Sequence, residues 1–592
     1  MRHLAALLVA IFGGYLFASA GAALLSTLNG PGGDAMLGGA LLGLALYAPI
    51  IIWLFAVRSA APQLGLRQRM AWLHTWGGLW VCWLAFAIFL TGTLSVFVDP
   101  ISDWMRPEQV HGHVEETYTG PLDHGPQLKH GLRYLEKHAA GSKMWELWPR
   151  PREDEFQAFW LNEKGYYADV HLSTATGAAM PDQEGKVRDT AGGMHFVEFH
   201  HALHAGTTGL WIVGVASAAM LVALISGVIT HKRIFKDFFT FRPGKGQRSW
   251  LDAHNLLGVL TLPFLFMIVY SGLVISWSTY MPAVTWAQEL RTGEAAQVRE
   301  YGPESKPSGR PGVLTPLEPL VRLAEATFHS PAFAVVVNHP GDAAMTVQVY
   351  GTTSPATQNG NLLSKRGMMK FDGVSGALLE TEMPHRAPAN AARATLVTLD
   401  ELHRLHFAGS VIRWLYFIAG MAGSAMMAIG AILFMVKRRQ KSLREFGANT
   451  QRVYRLIDVL NVAAVAGLPL ACIGFLWSNR LIPPHLPERH EIEIAAFFGV
   501  WLAALLHAAC RPAARAWREQ LWAGAILCLL LPLLNVLTTG QHLPGYLAQR
   551  DIERAGVELT SIGIGALLAA AALRYGRRNA KSAAIIGKAA TQ

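Results

Sequence analysis

Apolar and polar positions fall in long blocks along this chain. Ten apolar blocks, at roughly 4–25, 36–57, 72–97, 205–230, 254–278, 407–436, 456–477, 492–510, 519–539 and 558–575, approach or exceed the about 20 residues that span a bilayer. The first starts at the N-terminus, yet no small-residue cleavage site and soluble domain follow it, so a retained helix is expected rather than a signal peptide. Two long polar stretches, 99–199 and 279–402, interrupt the apolar blocks. There the pattern shortens to a period of two. GYYADVHLSTATGAAM alternates and turns at Thr176-Gly177; AFAVVVNHP, AAMTVQVYG and MKFDGVSGALLE do likewise, with Gly373 and Gly376 as turn residues. PESKPSGRPGVLTP reads as a linker. Each polar stretch is expected to fold as a small α+β module.

The middle of the chain repeats itself. LHTWGGLWVCWLAFAIFLTG aligns with AHNLLGVLTLPFLFMIVYSG, so that His74 precedes Thr91-Gly92 as His254 precedes Ser271-Gly272. HALHAG followed by Gly227 aligns with HRLHFAG followed by Gly430. The unit is helix, module, helix, used twice in parallel. The expected architecture is an all-α polytopic membrane protein of about ten transmembrane helices with two α+β modules. Its segments are a two-helix start (1–60), the first repeat helix (70–98), module 1 (99–199) and a central helix pair with a basic loop (200–278). Module 2 (279–402), the last repeat helix (403–440) and a four-helix end (455–576) complete it.

Composition agrees: 52% of the 592 residues are hydrophobic and 16% charged, a balance that excludes an ordinary soluble globule. The net charge of +10 does not point to nucleic acid, because Arg and Lys concentrate in alternate short loops. Arg58, Arg67 and Arg69 mark the first; HKRIFKDFFTFRPGKGQR, KRRQKSLREFGANTQRVYR, RPAARAWR and RYGRRNAK follow. The positive-inside rule then predicts cytoplasmic termini and two large periplasmic loops in a bacterial inner membrane, with lipid as the surrounding partner. The four cysteines all fall in apolar blocks and predict neither disulfides nor a metal cluster.

Histidines gather at the ends of the repeated blocks. His74, His254 and His231 lie toward the basic loops; His200, His201, His204, His403 and His406 lie toward the modules. Ionisable residues at membrane depth are costly, which makes them functional candidates. A b-type haem between helices needs a neutral imidazole from each of two helices and an apolar slot. Gly77, Gly78, Gly206, Gly209, Gly258 and Gly409 leave room for close approach. Two bis-histidine sites are expected, His74 with His254 and His204 with His406. His201 and His403 stand as alternates in the second, and His200 and His231 as further candidates. His231 beside Lys232 and Arg233 reads more simply as a solvated end. The loop histidines His111, His113, His124, His130, His138 and His171 are expected in solvent. Arg413, two turns beyond His406, is expected to need a carbonyl, carboxylate or propionate partner; Asn461 and Asn535 are expected to bond between helices.

These features, with the runs HKRIFKDFFTFRPGKGQRSWLDAHNLLGVLTLPF, IRWLYFIAGMAGSAMMAIGAILFMVKRRQ and NVAAVAGLPLACIGFLWSNRLIP, resemble the PepSY-associated transmembrane family and its longer iron-regulated subfamily. The resemblance covers roughly 70–550. It implies inner-membrane proteins near siderophore uptake, some of them haem-containing ferrisiderophore reductases with helix-end histidine ligands, and so two b haems here. One departure is that Leu265 follows the Pro-Phe pair where similar sequences often carry His. No Rossmann-like or flavodoxin-like segment is present, so the resemblance implies a separate reductase or a membrane quinol as electron donor. The implied activity is reduction of a periplasmic ferric siderophore or other Fe(III) complex. The alternatives are a non-enzymatic anchored binding or regulatory module, and an iron or siderophore transport component.

Overall fold

The computed structural model describes residues 2–28, 33–58, 65–108, 122–150, 154–161, 167–180, 188–231, 238, 241–242, 244, 246–292, 307–351, 367–383, 391–438 and 450–590. His111 and His113, and most of the basic loop after His231, lie outside them. Among the described residues ten helices are long and apolar enough to cross a membrane. The chain is a multi-pass membrane protein.

In chain order the helices are α1 (Arg2–Leu28), α2 (Gly33–Arg58), α3 (Leu66–Ser95), α4 (Val98–Met105), α5 (Gly125–His138), α6 (Met194–Ala202) and α7 (Gly206–Thr230). Then come α8 (Gln247–Ile275), α9 (Pro282–Thr292), α10 (Leu317–Phe328), α11 (Ala391–Arg404) and α12 (Ser410–Arg438). Four spans close the chain, α13 (Thr450–Leu481), α14 (Arg489–Cys510), α15 (Ala513–Thr539) and α16 (Ile552–Ala590). The repeat helices α3, α7, α8 and α12 pack in a ring, in which α3 stands opposite α8 and α7 opposite α12. The α1–α2 hairpin lies against α7, α8, α9 and α11.

One expectation fails here. The module-side histidines do not begin the spanning helices. His200 and His201 sit on the short helix α6 and His403 on α11, which end before α7 and α12 start, and His204 and His406 lie in the breaks. Leu203 and His204 in one break, and Leu405 in the other, take φ values of 53°, 52° and 61°. That left-handed turn ends a helix, so the three-residue spacing within HALH and HRLH does not place two rings on one helical face.

The four-helix end is locked to the stems of the first module by buried charge. Arg489 pairs with Glu493, and both are fully buried. Glu493 also accepts from Thr190 Oγ1 (2.6 Å) and Asn479 Nδ2 (2.7 Å). Arg188 bridges Glu108 (2.7 Å) and the Asn479 carbonyl (2.9 Å). Arg480 stacks over Trp104 at 3.8 Å and donates to Asn535 Oδ1 (2.8 Å). Asn461 accepts from Trp83 Nε1 at 2.7 Å, so both asparagines bond between helices. Buried charges of this kind persist only when their hydrogen bonds are filled.

The two polar stretches do not fold separately. The first contributes β1 (Met144–Trp148), β2 (Glu155–Leu161) and β3 (Tyr167–Ser173); the second contributes β4 (Ala332–Asn338), β5 (Thr346–Gly351), β6 (Met368–Asp372) and β7 (Leu378–Glu382). They form one antiparallel sheet in the order β3-β2-β1-β4-β5-β6-β7. The seam is β1 on β4, with Trp145 opposite Val337 and Leu147 opposite Val335. Pairing there removes two open edges that separate modules would expose. Inward residues Leu147, Phe156, Val335, Val347, Val349 and Phe371 form one core with α5 and α10. The expected turns are present, with φ of +67° at Gly177 and +72° at Gly376.

Across that seam His124 meets Glu325. Both are buried and 2.7 Å apart, contrary to the expectation that His124 is in solvent. Glu325 also accepts from the backbone N–H groups of Leu122 (2.8 Å) and Ala332 (2.6 Å). The carboxylate therefore holds three donors from both halves of the sheet domain. Glu325→Ala should destabilise that domain by about 3 kcal/mol, the usual cost of breaking a buried pair. Faster limited proteolysis within the sheet domain would register the loss, and unchanged protease resistance would contradict it.

Candidate functional site

Two histidine pairs face each other at opposite ends of the helix ring. At the basic-loop end, the His74 and His254 ring centroids are 6.2 Å apart at 61°. At the sheet end, the facing rings are His200 and His403, 6.0 Å apart at 31°. The first pair is the one expected. The second differs from the expected His204 with His406. His204 Nε2 is instead bonded to His195 (3.0 Å to Nδ1), and the exposed His406 lies 3.5 Å from Glu401. His201 is exposed and faces no other histidine ring, and His231 caps the end of α7. Arg413 donates to the nearby Ala408 carbonyl at 3.2 Å.

All four facing rings are seated in the same way. His74 Nδ1 is 2.8 Å from the Ala223 carbonyl, and its Cε1 is 3.0 Å from where a Cβ on Gly227 would stand. His254 Nδ1 is 3.0 Å from the Met426 carbonyl, and its ring lies 3.2 Å from a Cβ on Gly430. His200 Nδ1 is 2.8 Å from the Ile88 carbonyl and 2.5 Å from a Cβ on Gly92. His403 Nδ1 is 2.9 Å from Ser271 Oγ, which itself donates to the Ile268 carbonyl, and its ring lies 3.0 Å from a Cβ on Gly272. In every case a glycine opens a notch; for three rings a carbonyl of the preceding turn is the polar partner, and for His403 it is the hydroxyl of the adjacent Ser271. Because a carbonyl only accepts, and the Ser271 hydroxyl gives its hydrogen to the Ile268 carbonyl, Nδ1 carries the proton in each neutral ring and Nε2 keeps the lone pair.

The chemistry of this arrangement follows from that tautomer. Two imidazoles at the spacing of each pair suit a single metal between them. With metal–imidazole bonds of about 2 Å, and ring nitrogens about 1 Å from their centroids, the centroids stand about 6 Å apart. Burial pushes His403 down to about 3, with His200 and Arg404 adding to the effect. Burial likewise lowers His200, against the opposing Ile88 carbonyl. Both therefore stay neutral, the form that ligates. Each of the four residues is half-buried. Among the described residues no group of three or more His, Cys, Asp or Glu could hold a metal, which leaves these pairs as the candidates.

His74 precedes Gly92 by 18 residues, and His254 precedes Gly272 by 18. Eighteen residues are five turns, so each helix offers a ring and a notch on one face, about 27 Å apart along the axis. Between the two levels lies buried Leu265, its Cδ2 3.0 Å from a Cβ on Gly423 and beside Phe89. The departure at Leu265 thus fills the middle of the ring with an apolar contact. The signal for His200 was present in the sequence: His200 and His403 each stand six residues before the glycine of their motif, Gly206 and Gly409.

This is a helical membrane protein built around a duplicated unit, with two paired-histidine sites at opposite ends of a four-helix ring. The chain belongs to the PepSY-associated transmembrane family, whose model (PepSY-associated TM region) matches residues 71–437. It is similar to an uncharacterized protein of Pseudomonas aeruginosa, PA4219, with 25% identity over 410 residues that cover 66% of this chain and 95% of that one.

The notches are open to a direct test. Gly92→Ala places a methyl 2.5 Å from His200 Nδ1 and should cost about 1–3 kcal/mol, the range for overpacking. Gly563→Ala, with nothing within 4 Å, should be neutral or slightly stabilising. Thermal unfolding in detergent compares them, and equal midpoints would refute the notch.

Proposed function

We propose that this protein is a di-haem electron-transfer protein of the bacterial inner membrane that reduces a ferric siderophore or other Fe(III) chelate on the periplasmic side. The observation that carries the reading is the pair of facing imidazole couples at 6.2 and 6.0 Å, each ring fixed in the ligating tautomer. His74 and His254 would hold one b haem and His200 and His403 the other; bound there, the haems supply one-electron redox centres. The protein's own contribution is to keep the four rings oriented and desolvated, which tunes such centres. Reduction of the chelate frees iron because hard oxygen donors hold Fe(II) more weakly than Fe(III). The sheet domain is the surface on which a chelate would dock. The donor is a separate reductase or a membrane quinol.

Pyridine haemochromogen analysis should find two b haems per chain. His200→Ala and His403→Ala should each lose about half of that haem, whereas His201→Ala and His406→Ala should keep it. A colourless wild-type protein would favour an anchored binding module, and full haem in both His200→Ala and His403→Ala would remove the sheet-side site.

The orientation is tested separately. Basic residues crowd the loops at the His74–His254 end, so that end is placed in the cytoplasm. A cysteine introduced at Ser375 should react with an impermeant thiol reagent in spheroplasts, and one at Ser249 should not. The reverse pattern would exchange the sides of the two sites.

A further inference from the structure

The two halves of the repeat are not equivalent around the short helices. By position relative to His200 and His403, His195 corresponds to Thr398 and His204 to Phe407. Only the first half carries this second histidine couple, and its rings lie against α13 and α14. His195 is 1% exposed, and its ring stacks on Phe475 (4.2 Å, 25°) and meets the edge of Phe497 (4.4 Å, 71°). Its Nε2 is buried without a hydrogen-bond partner. Leaving such a group unsatisfied costs about 1–3 kcal/mol, so packing alone does not account for a histidine here.

The protonation pattern follows from the contacts. His204 Nε2 lies 3.0 Å from His195 Nδ1 and 3.2 Å from the His195 carbonyl. The carbonyl can only accept, so Nε2 of His204 carries the hydrogen and Nδ1 keeps the lone pair. Burial pushes His195 down to about 3, with His204 adding to it. Burial also lowers His204, against the His195 carbonyl and Glu198. At neutral pH the couple is uncharged and offers one base. His204 is half-buried and faces the edge of half-buried Phe498 at 6.0 Å, on an α14 face whose Gly499 and Leu502 are exposed in the membrane-spanning segment. Trp501, whose Nε1 donates to the Ala463 carbonyl (2.9 Å) at a π-helical turn, packs edge-on against Phe199 of α6 at 5.8 Å.

We infer that the lipid-facing surface of α14 at Phe498, beside His204, binds the ring of a membrane quinol, with His204 Nδ1 taking its hydroxyl proton and His195 fixing the tautomer that leaves this nitrogen free. An apolar, aromatic, lipid-facing wall with one neutral base suits a planar ring that carries hydroxyl groups. This rests on the electron-transfer reading above and names its donor. Per quinol, two O–H bonds break, two protons leave through His204 in turn, and the ring becomes a quinone. The two electrons would go one each to the one-electron centres that His200 with His403 and His74 with His254 would hold. His195 and His200 are five residues apart on α6 and so point about 140° apart. One helix, about 10 Å wide, separates the quinol from the sheet-side centre.

Two measurements test this. Decylubiquinol mixed anaerobically with the purified protein should reduce its b-type absorbance. His204→Phe, which copies the other half of the repeat, should slow that reduction by about a hundredfold at unchanged haem content and unchanged dithionite reduction. Wild-type speed in His204→Phe overturns the inference. Independently, a photoreactive azidoquinone should label α14 near Phe498, and excess decylubiquinone should suppress that label. An absent label, or one that competitor does not suppress, overturns it too. A wild-type protein without haem would defeat the electron-transfer reading, while the labelling still decides whether the surface at Phe498 is a quinone site.

Discussion

An imidazole ring lying in a glycine notch, with Nδ1 on the carbonyl of the preceding turn, is the interaction on which this protein turns. It occurs three times on a carbonyl, and a fourth time, at His403, through the Ser271 hydroxyl. Each time the glycine lets a ring come as close as a backbone allows, and the polar partner fixes which nitrogen bears the proton. Neither part suffices alone. A ring without the carbonyl would carry a polar N–H into an apolar setting unpaid, and a carbonyl without the notch could not be reached. The helix ring, the breaks before α7 and α12, and the 18-residue spacing all serve to bring ring and notch to the same level.

The segments outside the repeat act on the outer ends of this arrangement. The α1–α2 hairpin packs against α11, which carries His403. On the other side, Phe475 of α13 and Phe497 of α14 pack on the rings of α6, which carries His200. Short helices at a bilayer boundary have little stability of their own. Each gains a neighbour that holds it in place, and the Arg489–Glu493 pair anchors one of those neighbours to the stem beside α6.

Much of this was legible in the sequence, and the exceptions have physical causes. Spanning helices are long and apolar, so their number and bounds follow from composition. The glycine turns at Gly177 and Gly376 and the His74–His254 pair follow from spacing. The sheet-side pair was misread because HALH and HRLH look like continuous helix, whereas Leu203, His204 and Leu405 turn left-handed and move the following ring away. Counting back from Gly206 and Gly409 identifies His200 and His403 instead. His124 and His195 could not be singled out, because each is buried by residues far away in the chain, Glu325 in one case and Phe475 in the other. The seam between β1 and β4 was hidden for the same reason.

That seam and the two sites share one property. Each site takes one ring from each half of the repeat, and the sheet takes its central pair of strands from each half as well. A half-length chain with a single unit would own no complete site and would leave a central strand unpaired. It could work only as a symmetric dimer, each copy supplying the other's missing partner across a two-fold axis. Joining two such copies in one chain keeps the axis while freeing each half to change alone, and the departures from symmetry at His195 and His204 are changes that no dimer of identical chains could hold on one side only.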